Sequence, residues 1–255
     1  MIKKTFCILD GVGVKKESSL WKEGITDWHT FLHTSSIKGI SAKRQAVHTH
    51  TLIHAKKALL DDNIDFFAKR IPQSEHWRLY KELKASCVFL DIEFSSVHEG
   101  YITCMSIYDG IKIHTLVRNN AWNESALRHL FHNVKLIVTF NGSSCDIPLV
   151  KKYFPGLISE KILHWDLRHS CARLGMSGGL KEIEKQLSIS RNNVIVERLC
   201  NGDPFKLWRM YNGSGDPYYL DILVEYNRED TLNLETIADT IYPLLCKKIH
   251  DESSI

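Results

Sequence analysis

The chain has 255 residues, of which 44% are hydrophobic and 25% charged. That is the balance of a soluble globular protein with one large domain, or a domain plus a small appendage. No apolar run approaches the roughly 18 residues that span a bilayer, and the start MIKKTFCILD holds too short an apolar stretch for a secretory leader. No membrane association is expected, and the location is expected to be cytoplasmic.

The net charge of +3 is unevenly spread. Residues 1–80 carry 13 Lys and Arg against 8 Asp and Glu, a net of +5, and the remaining residues carry 20 against 22, a net of −2. A basic front end on a slightly acidic body suits a polyanion contact at the front. The seven cysteines are scattered without a C-x-x-C pair, which argues for reduced thiols and against a disulfide framework or a zinc ribbon. His48, His50 and His54 cluster; a metal site is one reading of them and a wet or amphipathic helix face the plainer one.

Residues 6–70 read as helical with short glycine turns. ILDGVGVKKESSLWKEGI (Ile8 to Ile25) sets Gly11 and Gly13 around Val12 before an apolar-periodic run ending near Trp21. IKGISAKRQAVHTHTLIHAKKALL (Ile37 to Leu60) repeats the plan with Gly39, 28 residues after Gly11, and Ser41 in place of the second glycine. Two copies of a glycine turn opening a helix resemble the helix-hairpin-helix module. Such turns expose backbone N–H groups at a helix N-terminus, which suits a phosphate oxygen. Lys15, Lys16, Lys43 and Arg44 stand beside them. The plain alternative is a pair of helix-joining turns with surface lysines. Pro72 and the polar cluster Gln73 to His76 break the pattern, so a boundary falls near 72–85. This gives a helical region over 1–80 and a second domain over 81–255.

From Cys87 the texture changes. Cys87–Phe94, Tyr101–Asp109 and Ile111–Arg118 are rich in β-branched and aromatic residues, and Asp109-Gly110 marks a tight turn. They read as an antiparallel meander. A helix over Asn123 to His132, a buried strand over Leu136 to Phe140, a helix from near Cys145 and a strand over Ile162 to Trp165 follow. A meander followed by alternating helices and strands makes an α/β fold, a mixed sheet flanked by helices in the order of the ribonuclease H-like fold. Ser177-Gly178-Gly179 precedes the amphipathic start LKEIEKQL, Ser190 to Asn193 reads as a loop, and Pro217 to Cys246 as one long helix or two.

Three stretches carry acids suited to chemistry. VFLDIEF places Asp91 and Glu93 two apart on a strand, on one face of an otherwise apolar run. A buried carboxylate pair is costly unless positive charge sits between the two, which a divalent cation supplies. Alone, the pair is equally an edge strand with both acids in water. TFNGSSCDIPLV places Asp146 at the first turn of a helix after a strand, where ligands gather in open α/β sheets and where aspartate also favours the helix dipole. Asn141-Gly142 is a tight turn able to bring backbone close to a nucleic-acid strand. YNREDTLNLE puts Tyr226 one helical turn before Asp230. Asp166 in HWDLRHS reads as a helix-capping acid, and Arg168, Arg173 and Arg228 are not distinguished from surface arginines by spacing.

D-x-E on a strand, N-G-x-x-x-D opening a helix and Y-x-x-x-D late in the chain together resemble the DEDD exonuclease superfamily, Tyr subclass. FLDIEF, TFNGSSCDIPLV, HWDLRHSCARL, GGLKEIEKQLSISR and YNREDTLNL are more narrowly similar to the YprB-like ribonuclease H-like domain. The front end also resembles the segment that precedes it in such proteins. The resemblance implies a 3′-to-5′ exonuclease working with two divalent cations, Mg²⁺ or Mn²⁺, on a single-stranded 3′ end. Asp91, Glu93, Asp146 and Asp230 would be the ligands and Tyr226 would position the attacking water. Asp91 would bridge the two ions, Glu93 and Asp230 would hold the one next to that water, and Asp146 would complete the other shell largely through water. Cys145 stands where relatives usually carry an aromatic. DNA is slightly favoured over RNA, because the helix-hairpin-helix resemblance reads backbone phosphates without base identity. A nucleic-acid-binding module on a catalytically weak nuclease fold and a nonenzymatic interaction protein are the competing classes.

Overall fold

The structure is a computed structural model that describes residues 1–95, 100–118, 123–191 and 203–254. The sequence-expected loop at Ser190 to Asn193 leaves the described residues after Arg191. Four helices fill the front end: α1 (Val14–Lys22), α2 (Trp28–His33), α3 (Ala42–Leu60) and α4 (Asp65–Ala68). The expected connector is a run of tight turns, a 3-10 segment Gln73–Leu79, the short α5 (Tyr80–Leu83) and a second 3-10 turn Lys84–Ser86.

The sheet has five strands, β1 (Cys87–Phe94), β2 (Ile102–Tyr108), β3 (Ile113–Val117), β4 (Leu136–Thr139) and β5 (Leu163–Asp166), in the order β3-β2-β1-β4-β5. β1 to β3 form the expected antiparallel meander, and β4 and β5 extend it in parallel beside β1. The β2–β3 turn closes on Asp109, whose Oδ1 accepts from the N–H groups of Ile111 (2.9 Å) and Lys112 (2.7 Å), with Gly110 at φ +89°. The helices that follow are α6 (Glu124–Phe131), α7 (Asp146–Tyr153), α8 (Leu167–Arg173), α9 (Leu180–Gln186), α10 (Pro204–Ser214) and α11 (Pro217–Ser254). α11 is a single helix of 38 residues that continues through Pro243. No helix among the described residues is long and apolar enough to cross a membrane.

Strand pleating divides the core into two. Val88, Leu90 and Ile92 point to one face and pack with Leu127 and Phe131 of α6 and Val150 of α7. Cys87 and Phe89 point to the other, where they join α11 and the front-end helices in one continuous cluster running from Ile2 to Ile249. Asp91 and Glu93 share that second parity. They therefore leave the sheet on the side covered by α11, which packs directly on β1 and β2.

The front end is fastened to the rest by a buried ion group. Glu17 of α1 receives Arg78 from the connector at 2.8 Å, and Arg78 also meets Glu75 at 2.6 Å, with Arg78 and Glu17 fully buried. Glu75 in turn takes Arg173 of α8 at 2.9 Å. Glu17 Oε1 accepts from the backbone N–H of Phe6 (2.5 Å) and of Cys7 (3.2 Å), so its charge is also met by the N-terminal segment.

Candidate active site

Asp91, Glu93 and Asp230 converge, each offering a carboxylate oxygen within 4.8 Å of those of the others. Glu93, Asp146 and Asp230 are buried and Asp91 is partly so. The site forms where the last residues of β1 pass under α11. Asp91 and Glu93 come from alternate positions of the strand, paired in register with Ser106 and Cys104 of β2. Tyr226 and Asp230 come from one face of α11. Asp146 opens α7 immediately after β4 and lies within electrostatic reach of Asp91 and Glu93, outside the tight group of three.

Each aspartate has one oxygen held by the protein. Asp91 Oδ2 accepts from Asn227 Nδ2 at 2.7 Å, and Asn227 is itself steadied by the Cys104 thiol, which donates to its Oδ1 at 3.4 Å. Asp146 Oδ1 accepts from the Ile92 N–H at 3.1 Å. Asp230 Oδ1 takes Arg191 Nη2 at 2.6 Å. These contacts hold the aspartate side chains in place, and Asp91, Glu93 and Asp230 together make a cluster of hard oxygen donors, the chemistry a divalent cation of the Mg²⁺ or Mn²⁺ kind requires. The electrostatics agree. Burial first, then the neighbouring acids, push Asp91 and Glu93 well above the ordinary carboxylate range. Burial lifts Asp146 to about 7 and Asp230 to about 6, the latter against the pull of Arg191. Crowded carboxylates held this far up carry more negative charge than Arg191 offsets, and the residues present fit a bound divalent cation.

Tyr226 is buried against Leu207 and Trp208 of α10 and Leu223 of α11. Its ring lies 5.1 Å from Lys181 Nζ and 5.7 Å from the Arg191 guanidinium. Burial, then Asp230 and Glu93, push its phenol upward, so it stays protonated and able to donate.

Asn141, at φ +61°, and Gly142 form the turn between β4 and α7. Asp166 is a structural acid, as its sequence setting suggested. It caps α8 through the Arg168 N–H (3.1 Å) and accepts from the N–H groups of Asn141 (2.8 Å) and Ser143 (3.0 Å). Asn141 Oδ1 accepts from Arg168 Nη1 at 2.6 Å. A side chain at Gly142 would meet Thr139, whose Cβ lies 2.5 Å from the place of the missing Cβ, so internal packing demands the glycine there.

At the front end the two glycine turns come together. Gly11 and Gly39 both have left-handed φ, +67° and +70°. Gly13 caps α1, and Ser41 caps α3 with its hydroxyl, replacing the missing second glycine. Lys16 of the first helix donates to Lys38 O of the second turn at 3.3 Å, and Arg44 of the second helix donates to Asp10 O of the first at 3.4 Å. The two halves thus exchange cations at positions 28 residues apart in each case, with exposed Lys15 and Lys43 alongside. His48 belongs to the same core, buried beneath Asp10 O at 3.2 Å, while His50 and His54 face outward, so the histidines line an amphipathic helix.

Sequence reasoning missed Asn227, Glu184, Arg191 and Lys181. Asn227 was findable, since it precedes Asp230 by three on the same helix face. Arg191 and Lys181 lie in GGLKEIEKQLSISR without a spacing that assigns them a role.

A five-stranded mixed sheet with acids gathered where its central strand meets the last helix defines the ribonuclease H-like class. A family model described as "RNase_H superfamily" matches residues 88–242, and the chain belongs to that family. No curated protein matches it. Among solved structures it is similar to the crystal structure of the Aedes aegypti Nibbler EXO domain, at 16% identity over 71% of this chain and 92% of that one, with a TM-score of 0.41.

Proposed function

We propose that the chain is a metal-dependent 3′-to-5′ exonuclease of the DEDD superfamily, Tyr subclass and YprB-like, that hydrolyses phosphodiester bonds at a single-stranded 3′ end. The observation that carries this reading is the convergence of Asp91, Glu93 and Asp230, oxygens within 4.8 Å, beside a protonated Tyr226 on the same helix as Asp230. Two divalent cations, when bound, supply Lewis-acid stabilisation of the attacking and leaving oxygens and a more acidic water. Asp91, Glu93 and Asp230 hold that charge, with Asp146 outside them as the fourth acid. The Tyr226 hydroxyl orients the attacking water and keeps its own proton. Asn227, by holding Asp91 Oδ2, steadies that carboxylate beside the other acids.

The helical region over 1–80 serves as the substrate grip and residues 81–255 as the catalytic domain. The glycine turns at Gly11, Gly13 and Gly39, with Lys15, Lys16, Lys43 and Arg44, contact backbone phosphates, and the Asn141-Gly142 turn borders the strand nearer the acids. DNA is favoured over RNA on the sequence-independent character of that grip.

The test is degradation of 5′-end-labelled single- and double-stranded DNA and RNA with Mg²⁺, with Mn²⁺ and with EDTA. A ladder shortening from the 3′ end, dependent on metal and lost in Asp91→Asn, is the expected result. Undiminished activity in Asp91→Asn, or cuts at internal positions only, would overturn the reading.

A further inference from the structure

We propose that Glu184 and Arg191 form a clamp that positions Asp230, which makes Arg191 a positioning residue of the acidic site. The inference rests on the metal-dependent reading above. α9 ends at Gln186, and Ser188 adopts a left-handed φ of +58°, uncommon for a residue with a side chain, while the Ile189 N–H returns to Glu184 O at 2.8 Å. This turn folds the chain back along α9 and brings Arg191 against its own helix.

The guanidinium is then held on three sides. Nε and Nη2 fork onto the two Glu184 oxygens, the second at 2.9 Å, and Nη2 reaches Asp230 Oδ1 at 2.6 Å. Its plane lies 5.7 Å from the Tyr226 ring. Glu184 is fastened from the far side by Asn233 Nδ2 at 2.8 Å, three residues beyond Asp230 on α11. The Glu184 side chain is 2% exposed and that of Arg191 14%, so both charges are withdrawn from water, where removing one partner exposes the other to a large penalty.

Charge alone does not account for this arrangement. A guanidinium beside a cation site repels the cation; Glu184 brings a compensating negative charge, so the pair is formally neutral, and the role inferred for it is geometric. It holds Oδ1 of Asp230, a residue whose carboxylate shares the cluster with Asp91 and Glu93. The fork geometry calls for arginine. A lysine ammonium is a point donor and cannot span Glu184 and Asp230 in one plane.

The experiment compares the parent with Glu184→Gln/Arg191→Met, which removes both charges and leaves the net charge unchanged, and with Arg191→Lys. The readouts are Mn²⁺ titration calorimetry, kcat and KM on a labelled oligonucleotide, and thermal unfolding. The double variant should bind Mn²⁺ about tenfold more weakly and lose about tenfold or more in kcat with KM within about twofold, the scale typical of partners behind metal ligands. Arg191→Lys should fall between, and serves as the measurement if the double variant does not fold. Parent-like Mn²⁺ affinity and kcat in either variant, whatever the change in melting temperature, would reduce the pair to a strut between α9 and α11 and overturn the clamp. A rise in Mn²⁺ affinity in Arg191→Lys would also overturn it, by making the arginine a competitor of the metal. A parent that takes up no Mn²⁺ overturns the metal reading and the clamp together, whereas binding by parent and variants alike sinks the clamp alone.

Discussion

Neutralising Asp146 should stabilise the metal-free protein at alkaline pH while abolishing its chemistry. Burial lifts this carboxyl from 3.8 to about 7. A group whose native pKa lies above its unfolded value favours folding fully only below the unfolded pKa, and that contribution is lost as pH rises through the native pKa. Ionised Asp146 therefore opposes folding above pH 7. A shift of this size corresponds to about 4 kcal/mol, at 1.36 kcal/mol for each pH unit. Asp146→Asn keeps an oxygen able to accept the Ile92 N–H, so the hydrogen bond at 3.1 Å has a substitute and only the charge is lost. In EDTA at pH 8 the variant should gain up to about 4 kcal/mol over the parent by urea denaturation, and at pH 4 it should gain almost nothing. Adding Mn²⁺ should narrow the difference at pH 8, because a bound cation offsets the Asp146 charge in the parent and the variant has no such charge to offset. A variant no more stable than the parent at pH 8, or equally stabilised at both pH values, would refute the assignment of Asp146 as a buried acid whose charge opposes folding.

Tyr226→Phe keeps the ring between Lys181 and Arg191 and removes only the hydroxyl. It should lower kcat by roughly 10²-fold, in the range of a lost positioned proton donor, with calorimetric Mn²⁺ binding unchanged. Arg78→Met leaves Glu17 and Glu75 buried without their cation and should cost about 3–5 kcal/mol in urea denaturation. A cost under about 1 kcal/mol would show that the ion group does not fasten the front end. Gly142→Ala drives a methyl into Thr139 and should destabilise by about 1–3 kcal/mol. It should also reduce activity, because the turn it displaces sets the start of α7 and hence Asp146.

Much of the site could be read from local periodicity. The spacing of Asp91 and Glu93 within an apolar strand placed both on one face, and the strand now pairs in that register with β2. The interval from Tyr226 to Asp230 placed them one helical turn apart, and α11 carries both. The Asp109-Gly110 signal found the β2–β3 turn, and the glycine at position 39 found a left-handed residue. What escaped notice depends on contacts between distant parts of the chain. Asn227 reaches Asp91 across 136 residues and Tyr80 reaches Asp239 across 159, and nothing in either local pattern selects the partner. Arg78 read as one more charge of a basic front end, although it is fully buried between two glutamates. A polar residue's burial follows from which elements pack over it, and periodicity does not report that. Gly142 shows the same limit. Asn-Gly announced a turn, but the need for glycine comes from the side chain of Thr139 three residues earlier.

α11 joins the two halves of the molecule mechanically. Its N-terminal half supplies Tyr226, Asn227 and Asp230, and from Asp230 to Tyr242 it advances roughly 18 Å at 1.5 Å per residue. There it meets the front end. Tyr242 packs edge-on against Trp77 at 6.0 Å and beside Tyr80 at 5.7 Å, and its hydroxyl accepts from the Met1 amino group at 3.3 Å. Asp239, one turn earlier, takes Lys84 at 2.6 Å and the Tyr80 hydroxyl at 2.8 Å. Residues 1–80 could not be removed without uncovering the apolar face of this helix and of Phe89 beneath it, since all belong to one continuous cluster. Exposing a surface of that kind forfeits roughly 25 cal/mol for each Å² uncovered. The glycine turns consequently hold a set position relative to the acids through shared packing, with no flexible tether between them.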